Sequence, residues 1–370
     1  MSNTIINVTK SELPEIEKYQ FYLKKIWQSA WLTNNGELVQ ELEKKIKYYL
    51  NVPQISLLSN GTIALQLAIK ALDIKGEVIT TPYTFAATTN VIIWEKATPV
   101  FADIDPETYN IDPEDIERKI TKKTSAILAV HVYGNPCNVE KIEKIAQKYK
   151  LKVIYDAAHA FGVKYKNKSL LEYGDISTLS FHATKVFNTI EGGAIVSKNK
   201  SIIEKVNLLR NFGIISEEKV VLPGINAKMN EFQAAMGLCN LESLNKKIHL
   251  RKAIYNRYLE GLKSNKNLKF QKVVSSYYNY SYMPICFNNI KLRNLIFKQL
   301  LTNNIKTRKY FYPPTSSFEY FRLKKFNLIN TTGLCNSNKI ANGILCLPIY
   351  SSLNLNIVDK IIQIINSICS

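Results

Sequence analysis

Leu179-Ser-Phe-His-Ala-Thr-Lys-Val-Phe-Asn-Thr-Ile-Glu-Gly-Gly-Ala194 decides how the chain is read. It opens as a strand, with Leu179 and Phe181 at alternate positions. It then leaves regular structure through a short polar run and closes on Glu191-Gly192-Gly193, after which Ala194, Ile195 and Val196 resume a strand. Lys185 therefore sits in a loop between two apolar strands. A solvated lysine needs no such setting, and the chain has many lysines. An amine in a dry pocket has its charged form disfavoured and becomes available as a nucleophile. An ordinary surface turn is the plain alternative, and this segment alone does not separate the two.

Upstream of that loop, strand and helix alternate. Strands are expected at Ile55–Leu58, Glu77–Thr80, Pro99–Ala102, Ser125–Val130 and Lys152–Tyr155, with helices at Glu37–Leu50, Ile63–Leu72, Thr84–Trp94, Pro113–Ile120 and Val139–Tyr149. This repeat predicts an α/β domain with a largely parallel sheet covered by helices on both faces. Ligands of such sheets gather at the carboxyl ends of strands. Five polar segments fall there: Ser59–Thr62, Pro82–Phe85, His131–Asn135, Asp156–His159 and His182–Lys185. Beyond Val196 the pattern reads as a helix to about Asn211 and a loop with Gly213, Pro223 and Gly224. A long helix over Lys228–Leu262 follows, then a strand over Tyr277–Phe287, a helix over Leu292–Asn303, a loop at Tyr310–Pro314 and a last helix over Ile357–Ile368. A boundary near residue 240 gives a large domain, 1–240, with an N-terminal arm, and a smaller C-terminal α+β domain, 241–370.

The 370 residues are 46% hydrophobic and carry a formal net charge of +19. That charge raises nucleic acid, membrane surfaces and anionic small molecules as partners. The lysines are scattered, without a long basic block, so nucleic-acid binding is not the main expectation, and an anionic substrate fits as well. Six cysteines without a CxxC pair give no zinc motif and no disulfide framework. The N-terminal stretch has no apolar signal core and no run is long enough to span a membrane, so a cytoplasmic protein is expected.

The polar segments supply specific chemistry. Asp156 ends an apolar strand, where a carboxylate is costly without a cationic partner or a helix to cap. A pyridinium N–H would be such a partner. Lys185 can condense with an aldehyde. The N–H groups of Gly61 and Thr62 at a helix start, with the hydroxyl of Ser180, can hold a phosphate. Phe85 can stack on an aromatic ring. Together these are the parts of a site for pyridoxal 5′-phosphate, with no metal required.

The segments Ser59-Asn-Gly-Thr62, Pro82-Tyr-Thr-Phe85, Asp156-Ala-Ala-His159, Ser180-Phe-His-Ala-Thr-Lys185, Glu191-Gly-Gly193, Gly224-Ile-Asn-Ala-Lys-Met-Asn-Glu231 and Gln233-Ala-Ala235 run in order over about two thirds of the chain. In them the sequence resembles the DegT/StrS-type family of pyridoxal-phosphate-dependent nucleotide-sugar aminotransferases, which share the aspartate aminotransferase architecture, fold type I. The resemblance implies that Lys185 is the lysine bonded to the cofactor and that Asp156 pairs with its ring nitrogen. It also puts Phe85 on the ring, Gly61, Thr62 and Ser180 around the phosphate, and His159 near the ring hydroxyl. Asn226 matches an asparagine that reaches the phosphate of a neighbouring subunit, which implies a homodimer with shared active sites. Lys228 departs from a frequent arginine and leaves open what meets a substrate anion there. Lys cannot make the bidentate fork. Tyr83, Lys228, Arg308 and Tyr310, with Tyr350, are candidates for the substrate pocket. His131 is read as a core histidine and His249 as one on a solvated helix face. In some relatives a histidine replaces the lysine and the reaction is dehydration. Here Lys185 is present and His182 lies three residues before it, which favours transamination.

The run Phe181–Gly193 resembles most that of enzymes aminating dTDP-4-keto-6-deoxy-D-glucose at C4 with L-glutamate as donor. The implied product is dTDP-4-amino-4,6-dideoxy-D-glucose, a precursor for O-antigen and other surface glycans. A UDP-linked 4-keto sugar, or amination at C3, is the alternative. A regulator that holds the cofactor without turnover is the reading from another class.

Overall fold

The computed structural model describes residues 5–322 and 332–369. The first four residues of the entry arm lie outside it. Seven strands form one sheet in the spatial order Ile55–Leu58, Gly193–Val196, Ile176–Ser180, Lys152–Asp156, Thr124–Val130, Glu77–Thr80 and Thr98–Phe101. All neighbours are parallel except Gly193–Val196, which runs against both of its neighbours. Burial on both faces explains the near-continuous apolar runs. Val153 and Tyr155 join the core on one side of the sheet and Ile154 the core on the other; Ala194 and Val196 oppose Ile195 in the same way. Helices Gly61–Ala71 and Lys200–Leu209 fill one side, and Glu37–Leu50, Val139–Tyr149 and Glu231–Leu262 the other.

The long helix starts at Glu231, three residues later than the sequence pattern suggests. Asn230 caps it: its side chain accepts from the Gln233 N–H while the Gln233 side chain accepts from the Asn230 N–H. At its start Glu231 accepts the N–H groups of Leu38 and Val39 at 2.9 and 3.0 Å. At its far end Arg257 pairs with Asp359 at 2.6 Å, and the Gly261 carbonyl accepts from Asn366. One rod thus runs from the N-terminal helix Glu37–Leu50 to the C-terminal helix Leu355–Cys369, passing residue 240 without a break.

A second sheet, all antiparallel, holds Leu268–Phe270, Met283–Phe287 and Ile344–Leu347. The strand expected over Tyr277–Phe287 is only its second half. Tyr280 takes a left-handed φ of 54°, and the Asn279 side chain accepts the Ser281 N–H, which breaks the extended run. The Asn279 amide instead donates to the carbonyls of His159 and Phe161, and the Ser281 hydroxyl to that of His159. The break therefore clamps the later part of the chain onto the end of the Lys152–Asp156 strand. A second tie joins Thr315 to Pro82 and to Thr89, at 2.8 Å each. The loop after Asn211 contains an unexpected hairpin, Ile214–Ser216 with Lys219–Val220.

Candidate active site

Four of the five polar strand ends converge on one cavity of ≈ 490 Å³. Gly61 and Thr62, Phe85, Asp156 and His159, and Ser180, His182 and Lys185 all line it. The register explains why. Gly193 pairs with both Leu58 and Ser180, so the turn after Leu58 and the loop after Ser180 leave the sheet side by side. The approach is close: a Cβ on Gly61 would lie 2.7 Å from Ser180 Cβ, and one on Gly193 would lie 2.5 Å from the Asn60 carbonyl oxygen. Asn60 caps the helix Gly61–Ala71 by accepting the Ile63 N–H at 2.9 Å. The N–H groups of Gly61 and Thr62, having no helical acceptor, are left for an anion beside Ser180.

Asp156 is buried, 6% exposed. Thr88 Oγ1 donates to its Oδ2 at 2.7 Å and the Ala158 N–H to its Oδ1 at 3.0 Å. Burial pushes its carboxyl up, opposed by those two donors and by Lys185. Lys185 follows a turn in which its N–H donates to the His182 carbonyl at 2.9 Å. Burial pulls its amine down to about 8, with Asp156 acting against the shift. Near neutral pH a fraction of Lys185 is free amine, as a nucleophile and proton carrier requires.

His159 Nδ1 accepts the Tyr133 N–H at 3.2 Å, so the ring proton of the neutral form sits on Nε2. Burial, then Lys185, hold its pKa well below the usual histidine range. The ring is parallel to that of Phe311 and 4.7 Å from that of Tyr282. Phe85, 57% exposed, lies across the cavity as the residue before the helix Ala86–Trp94.

The other expected residues are placed differently. Tyr310 lines the cavity, and Arg308 does not: its guanidinium lies over the Tyr310 ring at 4.6 Å. Tyr83 is fully buried and does not line the cavity. Its hydroxyl lies 2.7 Å from that of Tyr133, and both reach the Tyr310 carbonyl, the polar partner that a buried phenol needs. Tyr350 is buried in the main core. Asn226 is exposed, pairs through its backbone with Asn211 and does not line this cavity. Lys228 donates to the Asn211 side chain at 2.9 Å and lies over the Phe212 ring at 5.0 Å. His131 stacks on Tyr155 in the core and accepts the Cys137 N–H, and His249 is exposed on its helix.

Sequence reasoning missed Tyr282, Phe311, Thr84 and Thr88. The first two come from the later part of the chain and reach the cavity only through the clamps at Asn279 and Thr315. Thr84 and Thr88 had a weak signal, a hydroxyl pair four apart where the helix begins. Glu191 also lines the cavity, its carboxylate 3.7 Å from His182 Nε2.

This arrangement can bind a phosphorylated, aromatic aldehyde: an amine to condense with it, a carboxylate for a ring cation, an aromatic cover and an N–H cup for phosphate. The model of the DegT/DnrJ/EryC1/StrS aminotransferase family matches residues 15–366. The chain is 46% identical to the dTDP-4-amino-4,6-dideoxy-D-glucose transaminase of Escherichia coli over 371 residues, 99% of each chain. Among solved structures, that of DesI in the presence of its TDP-sugar product superimposes with a TM-score of 0.91 at 29% identity, covering 99% of this chain and 93% of the other. The PLP form of Spr1654 from Streptococcus pneumoniae superimposes with a TM-score of 0.89 at 25% identity, covering 99% of each. The fold is that of the type I pyridoxal-phosphate enzymes, and the chain belongs to the DegT/DnrJ/EryC1/StrS aminotransferase family.

Proposed function

We propose that this chain moves the amino group of L-glutamate to C4 of dTDP-4-keto-6-deoxy-D-glucose, giving dTDP-4-amino-4,6-dideoxy-D-glucose. The observation that carries this is Lys185, its amine pulled down to about 8, in one cavity with Asp156, in a chain 46% identical to a transaminase named for that product. The cofactor is pyridoxal 5′-phosphate; when bound, it supplies an aldehyde that exchanges amines and a ring that takes up the electrons left by C–H cleavage.

In this reading Lys185 Nζ holds the cofactor at rest. As a free amine, Nζ would take the proton from the donor's α-carbon and, in the second half-reaction, would deliver a proton to C4 of the sugar. Asp156 stays ionised against the ring N–H. Gly61, Thr62 and Ser180 would hold the phosphate, Phe85 would cover the ring, and His159 would offer its Nε2–H to the ring hydroxyl. Tyr310, with Tyr282 and Phe311, forms the wall against which the sugar packs.

Asn226 and Lys228 have their place in a homodimer, each reaching the partner subunit's cavity. Support comes from the exposed apolar side chains around them: Phe212, Ile215, Val220 and Ile225 are each more than 40% exposed, and such groupings mark association surfaces. We place the boundary between the large domain and the small one near residue 240, within the long helix. We assign the enzyme to the cytoplasm, where nucleotide sugars for O-antigen and other surface glycans are made. Among the described residues no helix is long and apolar enough to cross a membrane.

An absorption titration tests the reading. Protein loaded with the cofactor should be yellow, L-glutamate should bleach it, and dTDP-4-keto-6-deoxyglucose should restore it. Bleaching without restoration by this sugar overturns the C4 substrate and leaves the enzyme class. Absence of the yellow band overturns the role of Lys185.

A further inference from the structure

Thr84, Thr88 and Asp156 form a line of three oxygen-bearing side chains from the cavity wall into the core. Thr84 Oγ1 and Thr88 Oγ1 are 2.8 Å apart, and Thr88 Oγ1 is 2.7 Å from Asp156 Oδ2. All three are buried, Thr88 completely. Thr84 and Asp156 line the cavity and Thr88 does not. The hydrogens in this line are not free to choose. An ionised carboxylate only accepts, so the Thr88 hydroxyl must donate to Asp156. Having a single hydrogen, Thr88 must then accept from Thr84. The direction Thr84 to Thr88 to Asp156 is obligatory while Asp156 is ionised; a proton on Oδ2 itself would reverse it. Asp156 Oδ1 has one further donor, the Ala158 N–H at 3.0 Å. Burial pushes this carboxyl up, and Thr88 is the strongest of the groups that hold it down.

We propose that Thr88, oriented by Thr84, is a positioning residue that keeps Asp156 ionised and fixes its rotation, so that it presents an acceptor to a protonated ring nitrogen in the cavity. This rests on the reading of the site given above. Thr88 touches neither cofactor nor substrate and acts through Asp156 alone. Its placement serves this role: it lies in the first turn of the helix that begins after Phe85, so one helix start carries both the ring cover and the support of the acid. The next residue, Thr89, donates to Thr315 on the other side, which fixes that helix start against the later chain.

Affinities measured on the cofactor-free full-length protein test this. The probes are pyridoxal 5′-phosphate and its carbon analogue, in which C–H replaces the ring nitrogen. Thr88→Val keeps the shape and removes the donor. It should weaken pyridoxal 5′-phosphate about tenfold or more and the carbon analogue by no more than about twofold, because only the former engages Asp156 through a charged hydrogen bond. Thr88→Ser restores the hydroxyl and should recover the loss. Equal weakening of both probes, or no recovery with serine, reduces Thr88 to a packing residue and overturns the inference. So does a Thr88→Val protein that binds both probes as the wild type does. Wild-type protein that forms no complex with pyridoxal 5′-phosphate refutes the underlying reading, and this inference with it.

Discussion

The wall around Lys185 and the hairpin after Asn211 differ in how far one chain completes them. At the wall the polar atoms largely find partners within the chain: Asp156 has Thr88 and Ala158, His159 has Tyr133, and Asn60 caps the helix of the N–H cup. The hairpin segment turns Phe212, Ile215, Val220 and Ile225 outward and leaves Asn226 exposed beside them. On the proposed reading, a side chain that matches a cofactor-binding position yet does not line the cavity of its own chain serves a second copy. In the proposed dimer, catalytic chemistry would be intramolecular and the completion of the site a matter of assembly.

The sharpest way to break that comparison is at its first half. Lys185→Ala should cut turnover by at least about 10⁴-fold, since both the covalent anchor and the proton carrier go, while the melting temperature of the cofactor-free protein holds or rises because a partly buried amine is gone. Sustained turnover by the variant would refute the assignment. The amine also sets a pH signature. Only the unprotonated form condenses with an aldehyde, so capture of pyridoxal 5′-phosphate by the cofactor-free protein should rise with pH and level off above about 8, where an ordinary lysine near 10.5 would still be climbing. A stopped-flow pH series separates the two.

The second half breaks at the hairpin. Ile215→Asp with Val220→Asp places two charges where apolar contact is expected and should convert a dimer to monomers in sedimentation, with turnover falling about 10–100-fold as each buried charge costs a few kcal/mol. A variant that stays dimeric and active moves the interface elsewhere. Asn226→Ala is milder, about tenfold in cofactor affinity for one lost phosphate contact. Its diagnostic value lies in mixing. Lys185→Ala and Asn226→Ala chains each spoil every site of their own dimers. In a hybrid dimer with shared sites, both defects fall in one site and the other site is intact. Recovery of wild-type affinity in part of the mixed population is expected; its absence would mean that Asn226 serves its own chain or none.

How much of this was legible in the sequence follows from distance along the chain. The sheet could be read because each strand is a short apolar run bounded by polar turns, and the cavity because Gly61, Phe85, Asp156 and Lys185 each follow such a run. Their meeting needs only the rule that strand ends gather ligands. Tyr282 and Phe311 were not legible: they reach the cavity through the Asn279–Ser281 and Thr315 hydrogen bonds, which join residues more than a hundred positions apart. Tyr83 shows the converse error. It sits between residues of the right segment, but its alternation with Thr84 turns it inward, where its hydroxyl finds Tyr133. Thr88 was nearly hidden because a hydroxyl four residues after another is a weak signal until its partner, Asp156, is known.

Tyr83 also gives the smallest and most discriminating prediction about the wall. It supports Tyr310 from behind, sharing that residue's carbonyl with Tyr133. Tyr83→Phe removes one hydroxyl and leaves the Tyr133 contact, so the carbonyl keeps a donor and the loss is a single net hydrogen bond, about 1 kcal/mol of stability. If Tyr83 touched the sugar directly, the same change would be read as lost substrate binding of comparable or larger size without loss of stability. Acting through Tyr310, it should lower the midpoint of denaturation, raise KM for the sugar by no more than about threefold, well short of the tenfold that one lost hydrogen bond of 1.4 kcal/mol would give, and leave the glutamate half-reaction unchanged. A selective loss in sugar binding with stability intact would return Tyr83 to the substrate pocket and show that the wall opens further than the cavity lining implies.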